Sequence, residues 1–165
     1  GGVNPTMVVV KPNGTKLVQT ASDATTITVK GDHSSTSLYI GETYTMTYEM
    51  SEVTVSSPAA TGVLPNRSGR VHLSWGHLEY EDSAYFKVVT TLKNQTPIDH
   101  VFNGYTVGGI GSLIGSINVS DGVYKFGVLA PSKDITISLQ NDSHLPCRFI
   151  AMELEGKIIA EGQRL

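Results

Sequence analysis

The residues best placed to do chemistry are the carboxylates Glu79, Glu81 and Asp82, clustered in one short stretch. Two carboxylates about 5–9 Å apart can cut a glycosidic bond, one as acid and the other as nucleophile or base. The competing account is a solvated turn, because aspartate tolerates turn geometry and charge prefers water. The aromatics Trp75, Tyr80 and Tyr85 lie within a few residues and could stack on sugar rings. Trp75 alternates with polar neighbours, however, so it is expected in the core with Val71, Leu73, Phe86 and Val88.

Other candidate chemistries are weaker. His33, His72, His77, His100 and His144 are scattered, and no short spacing supplies the three or four converging ligands that zinc needs. Serine, histidine and aspartate are all present, but no Gly-x-Ser-x-Gly elbow joins a strand to a helix. The glycine-rich stretch 108–116 (GGIGSLIGS) lacks the Gly-Lys-Ser/Thr ending of a phosphate loop and precedes no helix. Cys147 is the only cysteine, so no internal disulfide forms, and a buried structural thiol is expected. Asn-x-Ser/Thr triplets begin at Asn13, Asn66, Asn94, Asn118 and Asn141; in a chain rich in Ser and Thr they arise by chance, and glycosylation is discounted. No catalytic, cofactor-binding or metal-binding residue is therefore assigned, and no cofactor is expected.

The elements that position these residues read as strands. Val71, Leu73 and Trp75 alternate with polar residues, and the pattern resumes out of phase at Leu78 and Tyr80, so Gly76 is expected to be a bulge. Glu81-Asp82-Ser83 is the expected turn of a hairpin, with Ala84 to Thr91 returning. Met7 to Lys11, Lys16 to Thr20 and Thr25 to Lys30 are short strands, the first two joined by the turn Pro12-Asn13-Gly14. In Thr43 to Ser51 one face carries Tyr44, Met46, Tyr48 and Met50 and the other is wettable, which predicts a sheet with one solvated side. Glu52 to Ser57 extends it.

Pro58 to Ser68 is expected to be a loop. Asn103-Gly104 joins Ile98–Phe102 to Tyr105–Val107, and Asp121-Gly122 is a further hairpin turn. Val123 to Leu129 buries Tyr124, Phe126 and Val128, and Pro131 to Asp134 turns the chain. Ile135, Ile137 and Leu139 alternate with polar residues. Arg148 to Glu155 is the last strand, with Ile150, Met152 and Leu154 on one face, and Glu155-Gly156 turns into Lys157–Ala160. No segment carries a 3.6-residue apolar period. The fold class is all-β: an antiparallel β-sandwich or barrel-like domain with short hairpins and few or no helices.

At 165 residues the chain is expected to be a single β-domain. A net charge of −3 argues against a broad nucleic-acid-binding surface. No apolar run approaches the ~18 residues of a membrane span, so no membrane anchor is expected. The chain starts Gly1-Gly2 without an initiator Met, which suggests a piece of a longer polypeptide, with residues 1–5 a lead-in.

Several stretches together resemble the C-terminal part of the tail tubular protein B family, the tail nozzle proteins of short-tailed bacteriophages. They are LYIGETYTMTYEMS (38–51), GRVHLSWGHLEYEDSAYFKVVTT (69–91), FNGYTVGGIGSLIGSI (102–117), DGVYKFGVL (121–129) and ITISLQNDSHLPCRFIAMELEGKI (135–158). The family shows similar segments in the same order. This chain departs from it at Asp82-Ser83-Ala84, where the family has Asp-Ser-Gly, and at Glu153-Leu154-Glu155-Gly156, where it has a tryptophan-containing segment. The resemblance implies a structural part of a phage tail: a hexameric ring of copies of itself, contacting the adaptor ring and tail fibres, with genomic DNA only in transit. The family has no accepted catalytic residues to carry over. Pro58–Ser68 and Gly108–Ser116 are the expected contact segments. The alternatives are a carbohydrate-binding sandwich for host recognition or a polysaccharide hydrolase.

Overall fold

The structure, a computed structural model, describes residues 6–23, 25–59, 62–66, 70–104 and 117–159. Its strands are β1 (Met7–Val10), β2 (Gln19–Ser22), β3 (Ile27–Val29), β4 (Tyr39–Glu42), β5 (Met46–Glu49), β6 (Val55–Ala59) and β7 (Gly62–Asn66). They continue with β8 (Arg70–Ser83), β9 (Tyr85–Leu92), β10 (Ile98–Asn103), β11 (Ser120–Pro131), β12 (Ile135–Asn141) and β13 (Arg148–Ile159). Among the described residues the only helical piece is the 3₁₀ turn Ser132–Asp134, where a turn was expected. Every ladder is antiparallel.

Two sheets form a sandwich, as the fold class anticipated. One has the order β10-β9-β12-β5 and the other β11-β8-β13. Their facing sides supply one apolar cluster: Val71, Leu73, Leu78, Tyr80, Phe126 and Val128 from the second sheet, and Phe86, Val88, Ile137 and Leu139 from the first. Phe86 is its hub. It is fully buried, stacks on Phe102 at 4.5 Å between ring centres, and meets Tyr80, Tyr124 and Phe149 at 5.3–5.6 Å. Such aromatic contacts add to the burial of large apolar area. Val8 and Val9 of β1 and Leu17, whose N–H donates to the Val9 carbonyl, are also buried but lie outside this cluster.

The largest correction concerns β8 and β9. They do not form a hairpin: β8 pairs with β11 and β13, and β9 with β10 and β12. The residues Glu81–Ala84 carry the chain across the sandwich. Asp82 takes the left-handed φ of 43°, and its N–H donates to Asp121 Oδ1 at 2.8 Å. Ser83 is buried, donating its hydroxyl to the Glu81 carbonyl and accepting from Arg148 N–H at 2.9 Å. Ala84 N–H donates to the Pro146 carbonyl and Gly104 N–H to the Ala84 carbonyl, both at 2.9 Å. The corner, buried at Ser83 and Ala84, thus has its main chain bonded to β11 and to residues flanking β10 and β13.

A second correction follows from the register. Trp75 stands opposite Glu155 and Leu73 opposite Gly156, so against β13 Ser74 is the extra residue on β8; against β11, where Gly127 and Ala130 face Trp75 and Leu73, the extra residue is on β11. The bulge lies before Trp75 and not at Gly76. Moving an irregularity by two residues flips a side chain to the other face. Val71, Leu73, Gly76, Leu78 and Tyr80 face inward, and Trp75 is 41% exposed. Gly76 is glycine for a packing reason: a Cβ there would overlap the Phe126 ring, itself buried.

Other turns move as well. Asp121-Gly122 lies inside β11 and Glu155-Gly156 inside β13, each at a register break. Ile150 is also displaced outward by such a break, leaving Phe149, Met152 and Leu154 against the core. β1 is joined to Lys16 by a single bridge and takes β4 as its ladder partner; the returning strand starts later, as β2, paired with β3. The Pro12–Gly14 turn is present, with Gly14 at φ 79°. Much of the expected 58–68 loop is strand: β6 and β7 pair, with Pro58 opposite Val63 and Pro65 opposite Ser56. A two-stranded ribbon accepts proline where the missing N–H would face outward. In the Thr43–Ser51 stretch, whose strand is β5, Tyr44 and Tyr48 are exposed and Met46 and Met50 are half-buried; β5 is an edge strand of its sheet. The expected Tyr105–Val107 strand and the Gly108–Ser116 stretch lie outside the described residues.

Candidate functional site

The central carboxylates do not form a pair in a groove. Glu79 and Glu81 occupy alternate positions on the outer face of β8. Glu81 is ion-paired with Arg148 at 2.9 Å, and Asp82 sits at the crossover. The histidines are dispersed. His33 contacts the Lys30 carbonyl at 3.0 Å, His100 contacts Thr90 Oγ1 at 3.2 Å, and His144 contacts the Gly14 carbonyl at 3.2 Å. His77 lies on the outer face of β8, 3.6 Å from Glu155. Among the described residues no three His, Cys, Asp or Glu side chains converge on a point where a metal could sit.

Trp75 shares its exposed face with charge. Lys125 Nζ lies 4.6 Å from the ring centre, a cation–π contact, and Glu155 is its neighbour on β13. Its cross-strand partners Gly127 and Glu155 offer no second ring for a sugar platform. A different group of aromatics is at the surface: Tyr44 and Tyr48, expected on the apolar face of their strand, and Tyr39, each more than half exposed.

An open cleft of about 350 Å³ lies beside these tyrosines, between the β1–β4 pair and the 141–147 turn; Val8, Glu42, Tyr44, Met46, His144 and Cys147 are among its walls. Cys147 is half-buried there and not the fully buried thiol expected. Most of the cleft's polar groups already have partners. Asn141 accepts from Ser143 N–H and donates to the Leu145 carbonyl, both at 2.8 Å, and Thr43 Oγ1 donates to the Thr6 carbonyl at 3.0 Å. This inventory describes a cleft between packed elements more than a preorganised ligand site.

The strongest charge contact fastens the 141–147 turn to the sheet. Lys87 on β9 meets Asp142 at 2.6 Å, with Asp99 at 4.0 Å. The Lys87 hydrogen bond holds the Asp142 carboxyl below its ordinary range, against a smaller upward push from desolvation, and Asp142 in turn holds the Lys87 ammonium up. Burial, with help from Asp142, raises the Tyr85 phenol. A carboxyl depressed in the folded state stabilises above its unfolded value of about 3.9, and that contribution disappears as pH falls through the lower folded value. Asp142→Asn is therefore expected to cost at most about 1 kcal/mol at neutral pH, since the pair is partly solvent-screened. Thermal melts of the two proteins should converge as the pH drops through the acid range. A gap unchanged at acid pH would assign Asp142 a packing role instead.

No curated protein matches the chain significantly. The profile of the bacteriophage nozzle protein family, in contrast, matches residues 3–165. An all-β sandwich in which the acidic residues of β8 serve a crossover and a surface ion pair is in keeping with that match. The chain belongs to the bacteriophage nozzle protein family and is a structural component of the virion tail.

Proposed function

We propose that the chain is one subunit of a ring in the tail nozzle, through which the phage genome leaves. The family match across residues 3–165 carries this reading. In it, residues 1–165 act as one β-domain of each subunit and make heterologous contacts with copies of themselves, since a ring joins two different patches at every interface. The adaptor ring and tail fibres are its other partners, and DNA is a passing cargo. A net charge of −3 suits transit, because a channel rich in cations would hold phosphates. The role is structural and calls for no catalytic residue, metal or cofactor.

Light scattering and negative-stain electron microscopy of the purified protein test this. Closed rings with a central opening are the expected result. A monomer at every concentration would overturn the proposal. The exposure of Trp75, Tyr39, Tyr44 and Tyr48 favours one second reading, a carbohydrate-binding surface. Specific binding on a glycan array, abolished by Tyr44→Ala, would establish it.

A further inference from the structure

The sheet edges of this molecule are not equally defended. β11 and β13 border the three-stranded sheet, and both carry features that discourage pairing with another strand. Register breaks interrupt each ladder, Leu129 has a left-handed φ of 48°, Pro131 ends β11, and Arg148, Glu153, Glu155 and Lys157 charge β13. Bulges, proline and charge are how natural sheets protect an edge.

The segment Tyr39–Glu49, which holds β4 and β5, has neither bulge nor proline, and its only charges are Glu42 and Glu49. Its ladders to β1 and β12 are regular, and it contains no proline, lysine or arginine. Thr43 N–H donates to the Thr6 carbonyl, which fixes the alternation of the β1–β4 ladder. By that parity the main-chain groups of Ile40 and Glu42 point away from β1. Met50 N–H donates to the Ile137 carbonyl, so by the same parity those of Thr47 and Glu49 point away from β12. Tyr39, Ile40, Tyr44 and Tyr48 are all more than half exposed, and no atom lies within 4 Å of where a Gly41 Cβ would be. An edge that is regular, free of proline and lined by exposed tyrosines is a template for an added strand.

The chain also contains a strand suited to it. β2 and β3 form a ribbon that pairs with no other described strand. Its second strand, β3, belongs to the β-branched run Thr25–Lys30, a composition that favours extended backbone. Lys30 is exposed with no carboxylate partner among the described residues, and Glu49 is exposed with no cation partner there.

We propose that β3 of one copy adds to the open β5 edge within Tyr39–Glu49 of a neighbouring copy, with Lys30 paired to Glu49. Main-chain bonds supply the contact, and the tyrosines cover the added strand. The inference rests on the ring reading, and its two halves are different patches, as a ring requires.

Sedimentation and light scattering of the 165-residue chain over a concentration series test it. Thr47→Pro removes an N–H that faces away from β12 and leaves the β5–β12 ladder intact, so the melting temperature should hold. Association should weaken about tenfold or more. Glu49→Lys and Lys30→Glu should each weaken association, and the double charge reversal should restore it. Those two side chains are exposed, so this arm does not depend on the proline variant folding. If wild type assembles while Thr47→Pro and both charge variants assemble equally well, the ring stands and this contact is wrong. Single charge variants that weaken assembly without rescue in the double reversal would also reject the Lys30–Glu49 pairing. A wild-type chain that stays monomeric would remove the ring reading and this inference with it.

Discussion

Phe86→Ala is expected to lower the unfolding free energy by about 3–5 kcal/mol, the cost of removing a large aromatic from a packed core. Phe86 has no solvent exposure and sits among Tyr80, Phe102, Tyr124 and Phe149, which come from four different strands of the two sheets. Removing the ring would leave only Phe102 linking Tyr80 and Tyr124, and strands in a sandwich cannot easily collapse into the gap. Domains of this size are stable by only about 5–15 kcal/mol, so the variant should unfold at much lower denaturant or fail to accumulate. Chemical denaturation monitored by circular dichroism measures the effect. Phe86→Leu, which keeps most of the apolar volume, should cost well under half as much. An alanine variant within about 1 kcal/mol of wild type would show that the two sheets are not held together at this hub.

The second large effect is at Gly76. In a strand, alanine normally gains about 0.5–1 kcal/mol over glycine by restricting the unfolded chain. Here the sign should reverse, because the added methyl would overlap the Phe126 ring. Overpacking costs about 1–3 kcal/mol, which outweighs the propensity gain. The overlap is with a side chain, so it can be relieved: Gly76→Ala combined with Phe126→Leu should cost clearly less than the sum of the single changes. Gly156 is a contrasting control. A Cβ there would lie 2.6 Å from the His72 carbonyl oxygen, which is main chain, so no side-chain truncation should rescue Gly156→Ala. Strict additivity of Gly76→Ala with Phe126→Leu would contradict the packing reason given for the glycine.

Local pattern predicted most of the strands. The alternations over β9, β11 and β12 name the residues that do enter the core, among them Phe86, Val88, Phe126, Val128, Ile137 and Leu139. It misjudged partners. Glu81-Asp82-Ser83 reads as a hairpin turn because turn residues are the same whether a chain reverses within one sheet or crosses to another. What decides between them is the pairing of β8 with β11 and β13, residues tens of positions away. The candidate site was misread for the same kind of reason. Trp75 has the expected alternation, but the bulge at Ser74 turns it outward. Tyr44 and Tyr48 alternate as core residues do, yet Tyr44 precedes β5 and Tyr48 lies on it at a sheet edge, and both are exposed. Edge position is a property of the assembled sheet and has no local signature.

By itself, then, the sequence determined that this chain is all-β, that it is antiparallel, and that it resembles the phage nozzle family. Those properties reside in period-two alternation, turn residues and the order of short segments, all local. Only the tertiary structure decided which strands are neighbours, where the bulge of β8 falls, that Trp75 and the 39–48 tyrosines face water, and which edges are left unprotected. Each of these depends on main-chain pairing between distant residues. Side-chain periodicity constrains that pairing only to within a register slip, and one slip exchanges the inside of a strand for its outside.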